Sequence, residues 1–312
     1  VTVPLHWKGS PLPRHVAIVE TAHRRYDFLP QALQRIYQPM SAPASLTDVV
    51  LTPLATGGAM AVYQLTARHA QGQQQVVCKI PHERRITYAG STAHDIPLDT
   101  TTQLLERLVS LAERLATQAP GLFPRTGGIW HWEDEDGVWH HVLVEEFIPG
   151  ISIERLKLAY EQQFVDGTLS LEAYNARCRR LERLAIATFV RLWDALDRHS
   201  FTSDPTPWNL LAHPVPHGAE LPATATIIDL HSLEEAVGLP YVVQRLATVY
   251  GMRRDVVEEA LIPGVLDALG AAEGRTLLLE ALPLLEDEAR KTARNLGVEV
   301  YQPLLQALYH LS

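Results

Sequence analysis

Cysteine is nearly missing from this chain: Cys78 and Cys178 are the only two in 312 residues. No CxxC spacing occurs, so neither a disulfide framework nor a cysteine zinc site can be built, and a cytoplasmic setting is expected. Lysine is almost as scarce, at positions 8, 79, 157 and 291 only. The 27 basic residues are outnumbered by 36 acidic ones, a net charge of −9. A chain of that sign has no overall pull toward polyanions, so no nucleic acid and no anionic membrane surface is expected as a partner. Uncharged apolar runs of about 18 residues are lacking, which argues against a membrane-spanning helix. The first 25 residues carry Lys8, Arg14, Glu20, Arg24 and Arg25 without an apolar stretch, so no signal peptide is read there. No repeat of fixed period and no low-complexity tract is visible. What is present is globular composition, 46% hydrophobic and 20% charged, in a chain long enough for about two domains.

Residues 1–45 are rich in proline and histidine, with one helix expected over Glu20–Tyr37 and a linker at Ser41–Ala44. This reads as an N-terminal extension that packs on something. Short β-branched runs at Val49–Tyr63 and Gln73–Ile80 flank turn signals at Gly57-Gly58 and Gln71-Gly72, as antiparallel strands do. Residues Thr100–Gln118 place Leu104, Leu105, Leu108, Leu111, Ala112 and Leu115 on one helical face. Strand character returns at Gly128–Trp132 and Val138–Phe147, and Pro149-Gly150 breaks it. Helical periodicity then dominates, with a long helix expected over Ser170–Arg198. Strand-like pieces follow at Leu210-Leu211 and Thr226–Leu230, then further helices with breaks near Pro263-Gly264, Gly270, Gly274, Pro283 and Pro303. The expected organisation is an α+β chain in two lobes: an extension (1–45), a β-rich lobe with one long helix (46–148) and a mostly α-helical lobe (149–312).

Four features could carry chemistry. Leu54–Tyr63 is a strand, a small-residue turn and a strand; small residues let a backbone approach phosphate, although an ordinary hairpin reads the same way. Lys79 sits inside the apolar run Val76–Ile80, where a buried ammonium needs a partner and an edge lysine would need none. Asp204 and Asn209 stand five apart in the proline-stiffened stretch Ser203–Leu211. An aspartate can accept a proton from a hydroxyl and an asparagine oxygen can ligate Mg²⁺, but both are also common turn residues. Asp229 ends the hydrophobic strand Ala225–Ile228, a costly place for a carboxylate unless it meets a metal or another partner. Elsewhere His140-His141 would face opposite sides of a strand. Trp130, Trp132 and Trp139 suit core and cross-strand packing. Arg177, Arg179, Arg180 and Arg183 suit a solvated, ion-paired helix stripe.

In order and spacing these features resemble the protein-kinase-like superfamily over about residues 48–232. Gly57-Gly58 through Val62-Tyr63 looks like the glycine-rich loop, and Val77-Cys78-Lys79-Ile80 is similar to the V-A-I-K strand. Val144–Gly150 looks like the interlobe hinge, Asp204–Asn209 the D-x-x-P-x-N loop, and Ile228-Asp229-Leu230 the metal-binding D-F-G. The resemblance implies an ATP- and Mg²⁺-dependent phosphotransferase. Gly57, Gly58, Val62, Lys79, Glu145 and Phe147 would contact the nucleotide, Asn209 and Asp229 the magnesium, and Asp204 would accept the hydroxyl proton. It also implies a helical glutamate against Lys79. Glu106 and Glu113 are the candidates, Glu106 preferred because Glu113 lengthens the interval.

Ala55, Met60, Thr202 and His231 depart from the family pattern, and neither an A-P-E motif nor a phosphorylatable activation segment follows. The nearest pattern is therefore that of aminoglycoside and choline kinases, which implies a small-molecule hydroxyl acceptor. Its site would lie in residues 150–168 and the helices after His231, and the negative chain would suit a cationic acceptor. The departures also suit a pseudokinase that binds nucleotide or scaffolds a partner, and a Ser/Thr protein kinase is the third reading. Pro214, Pro216, Gly218 and Pro222 are expected at a hairpin tip between Asn209 and Asp229.

Overall fold

The computed structural model describes residues 3–37, 46–56, 60–70, 72–81, 98–202, 204–213, 222–229, 233–296 and 299–311. The chain divides into two compact units, Val1–Thr117 with Pro124–Phe147, and Gln118–Phe123 with Ile148–Ser312. Alpha and beta structure are mixed, and among the described residues no helix is long and apolar enough to cross a membrane.

The first unit opens with β1 (Leu5–Trp7), α1 (Pro13–Tyr26) and α2 (Phe28–Ile36). The single helix expected over Glu20–Tyr37 is thus two helices. Pro13 starts α1 at a position where a missing N–H interrupts nothing, and Asp27 breaks the run at φ 45°, a left-handed conformation a short polar side chain tolerates. Next come β2 (Leu46–Thr56), β3 (Met60–His69), β4 (Gly72–Pro81), α3 (Leu98–Gln118), β5 (Thr126–Glu133) and β6 (Trp139–Glu146). The strands form one sheet in the order β1-β2-β3-β4-β6-β5. Only β1 joins in parallel; the other neighbours are antiparallel.

Alternation along these strands sends Ala61, Tyr63, Leu65 and Ala67 of β3 and Val76, Cys78 and Ile80 of β4 to one face. Trp130, Trp132, Val142 and Val144 join them, and α1 and α2 cover this core with Ile18, Val19, Phe28, Leu29, Leu33 and Ile36. Burial pushes the Cys78 thiol up to about 12, so it stays neutral in this core. Gly127 is required here, since a Cβ on it would lie 2.8 Å from that of Ala32. The residues expected to form an extension are therefore part of the unit's core.

The second unit contains β7 (Ile151–Ser152), α4 (Ile153–Val165), α5 (Leu171–Ala195), β8 (Ser200–Thr202), a 3-10 turn (Pro207–Asn209), β9 (Leu210–Ala212), β10 (Ala225–Ile227) and β11 (Leu233–Glu235). Then follow α6 (Leu239–Tyr250), α7 (Arg254–Val256), a π segment (Val257–Leu261), α8 (Ile262–Leu269), α9 (Ala271–Leu296) and α10 (Gln302–Tyr309). Ser152 and Ser170 cap α4 and α5 by accepting from the N–H groups of Arg155 and Ala173. The spine is α5, which buries Leu181, Ala185, Phe189 and Leu192.

Three expected breaks are absent. Pro263-Gly264 falls in the first turn of α8, after the π segment has already shifted the hydrogen-bond ladder. Gly274 and Pro283 lie within α9. Gly270, at φ 86°, does end a helix. Two small sheets, β10-β9-β7 and β11-β8, complete the unit. Segment 118–123 is tied in by Ile227 N–H to Leu122 O, 2.9 Å, and Thr226 Oγ1 to Gly121 O, 2.7 Å.

Candidate functional site

In the second unit, the chain leaves α5 through a turn with Asp197 and Arg198 at positive φ and enters β8. Thr202, at the end of β8, accepts the Asp204 N–H through Oγ1 at 3.2 Å and so orients the loop backbone. Pro205 and Pro207 then restrict the backbone into the 3-10 turn that ends at Asn209. Asn209 is buried, and its Nδ2 donates to Asp204 Oδ2 at 3.0 Å and to Asp204 O at 3.2 Å. Its amide nitrogen is thereby committed to Asp204, which leaves Oδ1 as the acceptor.

The antiparallel pair β9–β10 sets Leu210 opposite Ile227, and the Ile228 N–H donates to Asn209 O at 2.9 Å. Asp229, half-buried, is the next residue. Three positions singled out in the sequence thus belong to one backbone construction, a proline-bracketed turn tied to a short strand end. Leu230 and His231 lie outside the described residues, as does the expected hairpin tip apart from Pro222. Trp208, between Pro207 and Asn209, is 56% exposed.

A carboxylate and an amide oxygen are hard donors of the kind magnesium accepts, with one or two protein ligands supplemented by phosphate and water. Among the described residues, no group of three or more His, Cys, Asp or Glu is placed to hold a metal. Asn209 Oδ1 and the Asp229 carboxylate are two oxygen donors of this kind, fewer than a side-chain cage would need.

A charged cluster not anticipated as such lies in the same unit. Lys157 Nζ is 2.9 Å from Glu182 Oε1, and Arg179 bridges Glu182 and Asp255, the latter at 3.0 Å. Arg179 is 91% buried by its 9% exposure, which corrects its placement in a solvated stripe; Arg183 does fit that reading, pairing with Asp267 at the surface. Tyr250, at the end of α6, has a buried hydroxyl with no hydrogen-bond partner among the described atoms. Desolvation, then the charges of Glu182, Asp204 and Glu154, hold its phenol well above the usual range, so it stays protonated. Lysine scarcity was the one sequence signal at Lys157; nothing marked Tyr250.

In the first unit, Lys79 points to the face of β4 opposite Cys78 and Ile80, paired in register with Val62 on β3 and Leu143 on β6. Its Nζ lies 2.7 Å from Glu145 Oε2, with side chains 12% and 7% exposed. The neighbouring strand therefore supplies a carboxylate to Lys79, whereas Glu106 and Glu113 are exposed on α3. Strand pairing explains the difference: Val77 is opposite Glu145, so Lys79 reaches it diagonally on one face.

Glu146 turns to the other face and takes Arg125 in a two-pronged pair, 3.0 Å from Nε and 2.8 Å from a terminal nitrogen. Phe147 follows, half-buried. Gly57 and Gly58 lie outside the described residues. His141, on the Lys79 side of β6, meets Thr102 Oγ1 at 2.7 Å, while His140 on the other side meets Asp134 at the same distance.

No family model matches the chain, and no curated protein matches it. Among solved structures, WaaP in complex with acyl carrier protein is similar over 87% of this chain and 95% of that one, at 14% identity and a TM-score of 0.42. So distant a likeness carries neither activity nor partner across. Fold and site define a mixed α and β protein with two groups of polar residues, Lys79 with Glu145 in one unit and Asp204, Asn209 and Asp229 in the other.

Proposed function

We propose that this chain is a kinase-like phosphotransferase that uses ATP and Mg²⁺ to phosphorylate a hydroxyl group of a small molecule. The observation that carries the reading is the Asp204–Asn209 hydrogen bond, 3.0 Å, inside a turn held by two prolines and linked through Ile228 to the strand end bearing Asp229. In this reading Lys79 binds the α- and β-phosphates, and Asn209 Oδ1 and the Asp229 carboxylate hold the metal. Magnesium, when bound, supplies charge neutralisation at the phosphates. Asp204, kept in one orientation by Asn209, aligns the acceptor hydroxyl and accepts its proton as the new oxygen–phosphorus bond forms, the bond from the γ-phosphorus to the β–γ bridging oxygen breaks and ADP leaves. Phosphoryl transfer depends mainly on such positioning and charge balance. The acceptor would meet α4 and the helices after residue 231, and the acidic chain suits a cationic one.

Mg·ATP is expected to raise the melting temperature by mass action. Asp204→Ala is expected to stay folded and keep Mg·ATP affinity within a few-fold, while ATP turnover falls by ~10²-fold or more. A parent that gives no shift up to millimolar Mg·ATP sinks the nucleotide reading. A folded variant with undiminished turnover removes Asp204 from the chemistry. An ATP-consumption screen over aminoglycosides, amino alcohols and sugars identifies the acceptor class.

A further inference from the structure

We propose that Glu145 is the positioning residue for Lys79, so that the sheet itself holds the phosphate-binding ammonium in place of the helical glutamate that the family resemblance implies. The inference rests on the reading above for the phosphates, and on geometry for the pair. Lys79 Nζ and Glu145 Oε2 are 2.7 Å apart, and the two side chains are 12% and 7% exposed. Water therefore screens the pair weakly, so the attraction between the two charges is felt at close to its full strength. Both residues belong to ordered ladders: β4 pairs with β3 and β6, and Glu145 is also in register with Thr126 on β5. Their separation is set by strand register, which cannot slip without turning every side chain to the other face.

Glu106 and Glu113, by contrast, are exposed on α3. Glu146, one residue on, is directed to the opposite face and engaged by Arg125. Of the two adjacent acids, only Glu145 shares a face with Lys79. A lysine anchored in this way is pre-set by the sheet, and its orientation does not await movement of α3.

The chain has four lysines, so reductive ¹³C-methylation gives a lysine NMR spectrum simple enough to assign by substitution. In Glu145→Gln the Lys79 resonance is expected to titrate at least about one pH unit lower than in the parent, because a weakly screened carboxylate 2.7 Å from the ammonium has been neutralised. Mg·ATP binding, read by thermal shift, is expected to weaken about tenfold or more, and Glu145→Asp, which keeps the charge, to recover part of it. In a Lys79→Gln background, Glu145→Gln is expected to cause no further loss of nucleotide affinity, which separates positioning from general destabilisation.

An unchanged Lys79 titration in Glu145→Gln overturns the inference, as does an equal shift in Glu106→Gln or Glu113→Gln. Additive losses in the double variant overturn the positioning role. If the parent binds no Mg·ATP, the phosphotransferase reading fails and the role falls with it, while the titration still decides the pairing on its own. Should Glu145→Gln not fold, the titration of Glu145→Asp against Glu106→Gln and Glu113→Gln makes the same discrimination.

Discussion

A histidine placed between a sheet and a helix keeps its neutral form when protonation would strand a charge away from water. His141 is such a residue: it is 4% exposed, meets Thr102, and is held down to about 4 by desolvation first and then by the charges of His131 and His140. The unfolded chain takes up this proton near 6.5, before the folded protein does. His141 therefore costs no stability above that pH and destabilises progressively as pH falls from 6.5 toward 4. His141→Gln, which keeps a polar group for Thr102, is expected to lose less stability between about pH 7 and about pH 4.5 than the parent does. Urea midpoints at the two pH values check this, and equal losses in both proteins would dismiss His141 as a source of acid sensitivity. The same physics keeps Tyr250 protonated, where a phenolate would add to the negative charges of Glu182, Asp204 and Glu154.

Helix packing in the second unit depends on one missing side chain. Where α8 crosses α5, a Cβ at Gly264 would lie 2.7 Å from Ile186 Cγ2 and 3.0 Å from the Arg183 carbonyl oxygen. The side-chain atom could shift, but the carbonyl belongs to the ladder of α5. Gly264→Ala is accordingly expected to destabilise by about 1–3 kcal/mol through overpacking, despite alanine's better helix propensity. A urea unfolding curve checks it; a variant as stable as the parent would mean the helices can separate at no cost. Element limits inferred from proline and glycine erred in this same region, because packing against α5 keeps the chain helical through Pro263 and Gly264.

The N-terminal helices matter at the scale of the whole molecule. Ile18, Val19, Phe28, Leu29, Leu33 and Ile36 cover the sheet face made by β3, β4, β5 and β6. Burial of six such side chains contributes roughly 10 kcal/mol, comparable with the whole stability of an ordinary domain. Deletion of residues 1–37 is therefore expected to abolish cooperative unfolding of the first unit and to expose surface that binds a hydrophobic dye. A soluble truncated protein with the parent's near-ultraviolet circular dichroism and melting transition would show that the helices are dispensable.

What the amino-acid order determined by itself was local. Short β-branched runs beside turn signals marked strands over Val49–Tyr63 and Gln73–Ile80, helical periodicity defined α3 and α5, and two prolines between Asp204 and Asn209 marked a turn whose hydrogen bond spans five residues. These patterns are legible because the interacting residues are close in the chain or repeat at the period of one element. The pairing of Lys79 with Glu145 was not legible, since Glu145 is 66 positions away and only the register of β4 against β6 brings it to the ammonium. Nor was the role of residues 3–37, because an apolar helix face does not say which sheet it covers. Tertiary structure decided both: sequence periodicity specifies which side chains share a face, while strand register and helix docking select the charges and apolar surfaces that meet.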